Sequence, residues 1–513
     1  MLTVLVFLPL LVAGVLLLAP RAVPDRACVP VWLAAALAEL VLVVIIWAGF
    51  DPGGGIQYAQ RARWIPGAGV GYHVGVDGLS LPLAALTCVL FLAAAVHSLR
   101  RGTAATATAT GGGPPRARAW AALFLFLQTV SLGLFTALDL ILFFVFFDLS
   151  IVGMYFVIAG WGHGERARAA ALKFFLYTFT GSLALLLGFI GLYLAAEPHT
   201  FDLTDLARED PLAGRGAHAA LVLLAIGLGL AIKTPTVPFH TWLPPAHTDA
   251  PAAGSAILAG ILLKMGTYGF VRIAMPLLPG VWRQYALVFV VLGALSAVYG
   301  ALVALGQTDV KRMIAYTSVN HMGYVLLALG AAGILTGTDD RARALAVTGA
   351  TVQMVSHGLI TGALFLLSGV LWDRAGGYRI ADFSGLAGPA PRFAAVTAVG
   401  ALAAIGLPGF SGFIAEFQIF TGSLGSQPVA TAVALTGILI TAALFLRALH
   451  RMLLGPTRLP GSVRTGGFTD LTPAETAATV PLLGLSLVIG IVPRFLLDVI
   501  EPAARALTGL VAR

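Results

Sequence analysis

The sequence predicts an all-α integral membrane protein of about fourteen spanning helices, and three observations carry that prediction. Hydrophobic residues make up 58% of the 513-residue chain and charged residues only 11%, whereas soluble domains carry about 25% charged residues. Apolar runs long enough to cross a bilayer recur from one end to the other. Sixty glycines suit close helix packing in lipid, where small residues let backbones approach. The net charge of +8 does not point to nucleic acid. Its basic residues fall mostly in short loops between apolar runs, the positive-inside pattern.

In order, the runs lie at about 2–20, 28–50, 79–99, 119–138, 140–160, 170–194, 217–243, 252–276, 284–306, 312–335, 343–372, 393–424, 430–453 and 476–500. The first lacks a basic n-region, so it reads as a spanning helix and not as a cleaved signal. Thr103 to Pro115 is a low-complexity linker. Odd-numbered loops hold Arg21, Arg26, Arg100, Arg101, Arg116, Arg118, Arg166, Arg168, Lys311, Arg312, Arg374, Arg379, Arg392, Arg447, Arg451, Arg458 and Arg464. Even-numbered loops hold about half as many, so odd loops should be cytoplasmic and both termini outside a bacterial-type inner membrane. The chain divides into residues 1–118 (three helices and the linker), 119–276, 277–453 and 454–513, the last holding the fourteenth helix.

Two of the runs should be broken. In the seventh, Pro235 and Pro238 follow Lys233 and Thr234, and proline both lacks a donor and clashes with the preceding turn. In the twelfth, Gly406-Leu407-Pro408-Gly409 interrupts the apolar pattern ahead of Glu416. Both breaks take the fourth place in consecutive five-helix blocks, runs 4–8 and 9–13. An odd number of helices per block gives the copies opposite orientations. Paired breaks in inverted repeats mark a midplane site, and their freed backbone groups should meet water or polar side chains.

Ionisable residues at membrane depth are Asp148, Lys233, Lys264, His321, His357 and Glu416. A charge there costs about 2.5–3.5 kcal/mol on insertion scales and is tolerated facing protein or water. Carboxylate, ammonium and imidazole groups alternating at similar depth are what a proton relay requires. Glu39 lies outside both blocks and reads as a helix-packing hydrogen-bond partner, and Lys173 can reach the interface. His240, His247 and Asp249 match no common zinc spacing and read as capping or packing of the broken helix. Cys28 and Cys88 form no Cys-x-x-Cys, so neither a cluster nor a metal is expected. Gly229 to Thr234 lacks the glycine before its lysine that a phosphate loop needs. Gly67 to Gly71 is not spaced for a dinucleotide.

The stretch from Lys233 to Ser255 (KTPTVPFHTWLPPAHTDAPAAGS), with LAGILLKMGTYGFVR after it and DVKRMIAYTSVNHMG from Asp309, resembles the antiporter-like subunits of NADH-quinone oxidoreductase, respiratory complex I, and their M-type branch in particular. The resemblance covers runs 4 to 13 well. It implies a proton-translocating role, with Asp148 as the helix 5 carboxylate, Lys233 as the broken-helix lysine and Lys264 as the central lysine. It likewise implies His321 and His357 as connecting histidines and Glu416 as the distal carboxylate. NADH, FMN, iron–sulfur clusters and quinone would belong to partner subunits, with none on this chain. Neighbouring antiporter-like subunits L and N and lipid would be its contacts. The family usually has glutamate where Asp148 stands, so this carboxylate falls about 1.5 Å short of its usual reach. A bridging water or a closer approach of helices 5 and 7 would compensate. Alternative readings are a subunit of an Mrp-type cation/proton antiporter or membrane-bound hydrogenase, and a non-translocating scaffold.

Overall fold

The computed structural model describes residues 1–104, 117–460, 463 and 467–512. Apart from its first two residues, the linker read at Thr103 to Pro115 lies outside the described residues, as do Arg116 and Arg464. Among those described, eleven helices are long and apolar enough to cross a membrane. They are α2 (Cys28–Ala48), α3 (Leu81–Ala104), α4 (Ala117–Thr136), α5 (Leu140–Trp161), α6 (Ala167–Ala195), α8 (Gly216–Lys233), α10 (Ala252–Leu277), α11 (Pro279–Leu305), α13 (Asp340–Ala375), α16 (Pro428–Leu453) and α17 (Pro473–Ile491). The apolar helices α1 (Leu2–Leu18) and α14 (Pro391–Ala404) are shorter.

Burial sorts the helices by depth in the protein. The 36-residue α13 is the central pillar, with its apolar window wholly buried. Beside it stands α12 (Val310–Ala332), which carries Lys311, Asn320 and His321 and so is too polar to count as a span by hydropathy. Almost every residue of α12 is nonetheless buried. Neighbouring helices, not lipid, are its solvent. Small residues make this possible: a Cβ on Gly293 of α11 would lie 2.4 Å from the Leu327 amide nitrogen, and one on Gly300 would lie 2.6 Å from that of Asn320.

The all-α expectation needs correcting. Between α2 and α3 the chain forms an antiparallel hairpin of β1 (Gln57–Ile65) and β2 (Val70–Val76). The glycines at 67–71 serve its turn, where Gly69 takes φ +65°. Two strands leave little periodic signal beside runs of twenty apolar residues. The fourteenth run also divides. Pro493 disfavours helical angles at the residue before it, and Val492 takes φ −124°, ψ 67°, so α17 ends at Ile491 and α18 (Arg494–Ala512) starts afresh. Leu496, Val499, Ile500, Ala504, Leu507 and Val511 form the buried stripe of α18. Arg283 and Arg343 donate to the carbonyls of Val511 and Thr508, at 3.0 and 3.2 Å.

The hairpin is clamped by buried charge. Asp202 caps the short α7 (Leu203–Glu209) through the amides of Thr204 and Asp205. Its other oxygen receives the His73 ring at 2.6 Å and the Arg61 guanidinium at 3.1 Å. Asp139 caps α5 and accepts the Gly71 amide at 3.0 Å. Burial alone would raise the Asp202 pKa, but the His73 and Thr204 bonds and the charges of His73 and Arg61 outweigh it and hold it at about 2. A carboxylate depressed below its free value of about 3.9 stabilises the fold above that value. The contribution disappears as pH falls towards the folded pKa. Asp202→Asn should therefore cut amide protection in residues 57–76 by about 1.5–3 kcal/mol at neutral pH, the worth of a charged hydrogen bond. Hydrogen exchange checks this, and the difference between variant and wild type should vanish towards pH 2.

Candidate functional site

The first break follows Lys233, the last residue of α8. Helix resumes only at α9 (Leu243–Asp249). Groups freed between them find polar side chains: Trp242 donates its indole N–H to the Ile232 carbonyl at 3.0 Å, and the Val237 amide donates to Ser296 Oγ at 2.9 Å. Lys233 is 1% exposed. Its Nζ donates to Ser150 Oγ of α5 at 2.8 Å and lies 4.7 Å from the centre of the Phe147 ring. Asp148, on the same helix, makes no direct ion pair with it. That carboxylate is half-buried and faces Ser182 of α6, meeting Lys233 only through longer-range attraction. The closer approach of helices that would restore direct contact is not present, and Ser150 takes the lysine instead.

Lys264 sits in α10 between two π-helical turns, Leu258–Leu262 and Phe270–Ala274. Widened turns loosen the regular backbone ladder, and here the Ala259 carbonyl accepts from Lys264 Nζ at 2.6 Å. The same nitrogen lies 2.5 Å from Nδ1 of His357 on α13. An ammonium has only donors and a protonated imidazole donates from both nitrogens. One proton therefore occupies this contact, and the two groups cannot both be cations. The His357 and His321 rings stand 5.4 Å apart at 78°. His321 Nε2 lies 3.8 Å from Glu416 Oε1, beyond direct hydrogen bonding. Beside them a cavity of about 10 Å³ is lined by Gln353, Ser356, Thr361 and Glu416, close to the space of one water.

Glu416 belongs to α15 (Ser411–Leu424), beyond the second break. Here the chain turns after Ala404 through Gly406, at φ +81°, and Gly409, at φ +102°. A Cβ on Gly406 would lie 2.4 Å from Glu416 Oε2, so this glycine makes room for the carboxylate as well as the turn. Ser411 fixes the start of α15 by hydrogen bonds of 2.7 Å to Ser356 and to Ser486.

Four of the residues singled out by sequence, Lys264, His357, His321 and Glu416, thus form one contiguous buried series. Asp148 and Lys233 stand outside that series and make no direct ion pair with each other. Two further buried residues stand near this series: His247, which reads from sequence as capping or packing of the broken helix, and Lys311, which reads as a loop charge. His247 is fully buried, stacks on Phe365 at 4.5 Å, and has no hydrogen-bond partner on either ring nitrogen among the described residues. It lies within the electrostatic reach of Lys264, Lys311 and His357. Lys311 was counted with the loop charges, yet it is fully buried and donates to the Ala250 carbonyl. Its place at the start of α12, and the half-helix carrying His247, were the available signals. The packing role read for His240 agrees with its ring lying against Tyr299 and Tyr316. Glu39 does not: its carboxylate is fully buried, and neither oxygen has a hydrogen-bond partner among the described residues. No group of residues suited to a metal occurs among those described.

Helices broken beside a buried series of ionisable side chains, within a many-helix membrane body, define a class: multi-pass proteins of antiporter-like build. Residues 137–441 match the family described as NADH:quinone oxidoreductase/Mrp antiporter, TM. The chain belongs to that family. It is 36% identical to NADH-quinone oxidoreductase subunit M of Rickettsia bellii, covering 97% of this chain and 96% of the relative. Against subunit M of Rhodobacter capsulatus the figures are 37%, 98% and 95%. Among solved structures, a chain of respiratory complex I from Thermus thermophilus with bound NADH aligns at TM-score 0.85 and 30% identity, over 100% of both chains.

Because Gly406 combines positive φ with contact to Glu416, Gly406→Ala should strain the turn by about 1–3 kcal/mol and push the carboxylate from His321. The membrane complex should still assemble, with its coupled activity reduced. A structure of the variant with Glu416 unmoved would contradict this.

Proposed function

We propose that this chain is a proton-translocating membrane subunit of an NADH:quinone oxidoreductase, moving protons along its buried ionisable residues while electron transfer takes place on other subunits. The observation that carries the proposal is the contiguous Lys264–His357–His321–Glu416 series, closed to lipid and spanning the interior between α10 and α15. Lys264 and His357 share one proton, so a charge arriving on either side shifts it between ammonium and imidazole. His321 relays to Glu416 by a small side-chain movement or one bridging water. Asp148 and Lys233 bias the series through charge, since Lys233 is close enough to respond to Asp148 without bonding to it. This chain would carry no redox centre. NADH, FMN, iron–sulfur clusters and quinone would be held by partners, and L- and N-type subunits would flank it.

The reading includes fourteen spans. The eleven long helices are joined by α1, by α12, and by α14 with α15 as one broken span. Helices α4, α5, α6, α8 with α9, and α10 form one repeat. Helices α11, α12, α13, α14 with α15, and α16 form its inverted copy. What supports this is the matching fourth place of the two breaks, each beside an ionisable residue. Both termini would then lie on the outer side. An Mrp-type antiporter or a hydrogenase subunit would share the fold, but full-length relatives named subunit M at 36–37% identity favour the oxidoreductase. A scaffold would not need the buried charges.

Lys264→Met in the assembled complex should lower proton pumping and the turnover coupled to it by on the order of tenfold or more. Pumping at the wild-type rate in a fully assembled variant would overturn the proposal. Asp148→Asn should impair pumping and Asp148→Glu should keep it at least in part, because glutamate keeps the negative charge that acts on Lys233. Normal pumping by Asp148→Asn would reduce Asp148 to a packing residue. Proton uptake into vesicles measures all three variants.

A further inference from the structure

Helices α6 and α8 touch closely where Gly188 faces Ile226 and Gly181 faces Gly229, with no room for a Cβ. Along their outward side they leave an apolar groove of about 690 Å³. Its walls run from Ala184 to Ala195 on α6 and from Arg215, the residue before α8, to Leu228 on α8. At 1.5 Å per residue the α6 wall is about 17 Å long, close to half of a hydrocarbon core of about 30 Å. One leaflet therefore matches the length of the groove.

The two ends differ in chemistry. Leu187, Leu194, Leu221 and Leu224 give an exposed apolar lining along the length. At the end where α8 begins and α6 finishes, Arg215 and His218 stand one turn apart, both exposed, with no ion pair among the described residues. No acidic side chain lines the groove. An apolar slot one leaflet deep, with a guanidinium and an imidazole at headgroup level, is complementary to a single amphiphile bearing a negative head.

We propose that this groove holds one anionic phospholipid, an acyl chain lying between α6 and α8 and the phosphate at Arg215 and His218. The guanidinium binds phosphate through paired N–H donors, which a neutral apolar helix from a neighbouring subunit would leave unused. The site is separate from the buried ionisable series and does not depend on the proton-transfer reading.

The test uses the assembled membrane complex, reconstituted with phosphatidylglycerol or with phosphatidylcholine carrying a photoactivatable diazirine in the acyl chain. Labelled peptides are identified by mass spectrometry. Phosphatidylglycerol should label residues 184–195 and 221–228 about fivefold more than phosphatidylcholine, the ratio that one basic residue near a membrane surface supplies. The double variant Arg215→Gln, His218→Gln should bring the two lipids level. Ala225→Phe, which fills the groove from its floor, should abolish labelling by both. Equal labelling by the two lipids in the wild type would overturn the proposal. So would no labelling by either, the result expected if a neighbouring subunit covers the groove.

Discussion

A cation buried away from water must be given its acceptors by protein alone, and the centre of this molecule is built around that requirement at Lys264. Its ammonium is fully buried and takes its partners from the Ala259 carbonyl and the His357 ring. The first partner comes from the π-helical turn Leu258–Leu262. The second requires α13 to lie against α10, which Gly260 and Gly358 allow: a Cβ on Gly358 would stand 2.9 Å from the Gly260 carbonyl. A side chain at Gly358 would force α13 away from α10 and draw the histidine from the lysine. The burial of α12 and α13 follows from the same demand, since polar side chains facing inward need a shell of apolar helices facing out.

The two broken helices meet one constraint by different means. At Lys233 prolines end the helix, and an indole and a serine collect the freed backbone groups. Near Glu416 glycines at positive φ make the turn, and a chain of three serines fixes the helix that follows. The chemistry matches the charge beside it. A lysine at the end of α8 lies near exposed carbonyls, which favour a cation. Glu416 sits in the second turn of α15, near the helix end that favours an anion.

Much of this was legible in sequence because apolar length, proline and isolated charge are strong signals in a membrane protein. The broken helices and the residues Lys264, His321, His357 and Glu416 could be named from spacing alone. What could not be read was partnership. Nothing in the order of residues says that Lys233 bonds Ser150 and not Asp148, since Asp148 and Ser150 lie only two positions apart and face different neighbours. Lys311 looked like a loop charge because it begins a helix, and only packing against Ala250 and Tyr378 buries it. The hairpin was hidden for a further reason. Its strands are short, half-exposed and held by charges from Asp139 and Asp202, which lie more than sixty residues away along the chain.

The spacing of the central groups bears on how a route of the proposed kind could avoid leaking. A continuous hydrogen-bonded wire between two aqueous phases would conduct protons down any gradient. Here the series has one tight contact, Lys264 to His357 at 2.5 Å, followed by looser steps. The histidine rings meet edge to face at 5.4 Å, and His321 stands 3.8 Å from Glu416. Neither step passes a proton without movement, because neither places a donor on an acceptor. The small cavity at His321 limits that movement to a ring rotation or one water. On the proposed reading, a proton held between Lys264 and His357 would wait on a rearrangement, and charge change at Lys233, acting through the interior of low dielectric, would be a means of favouring it. The gaps are thus what distinguishes a coupled carrier of protons from a pore.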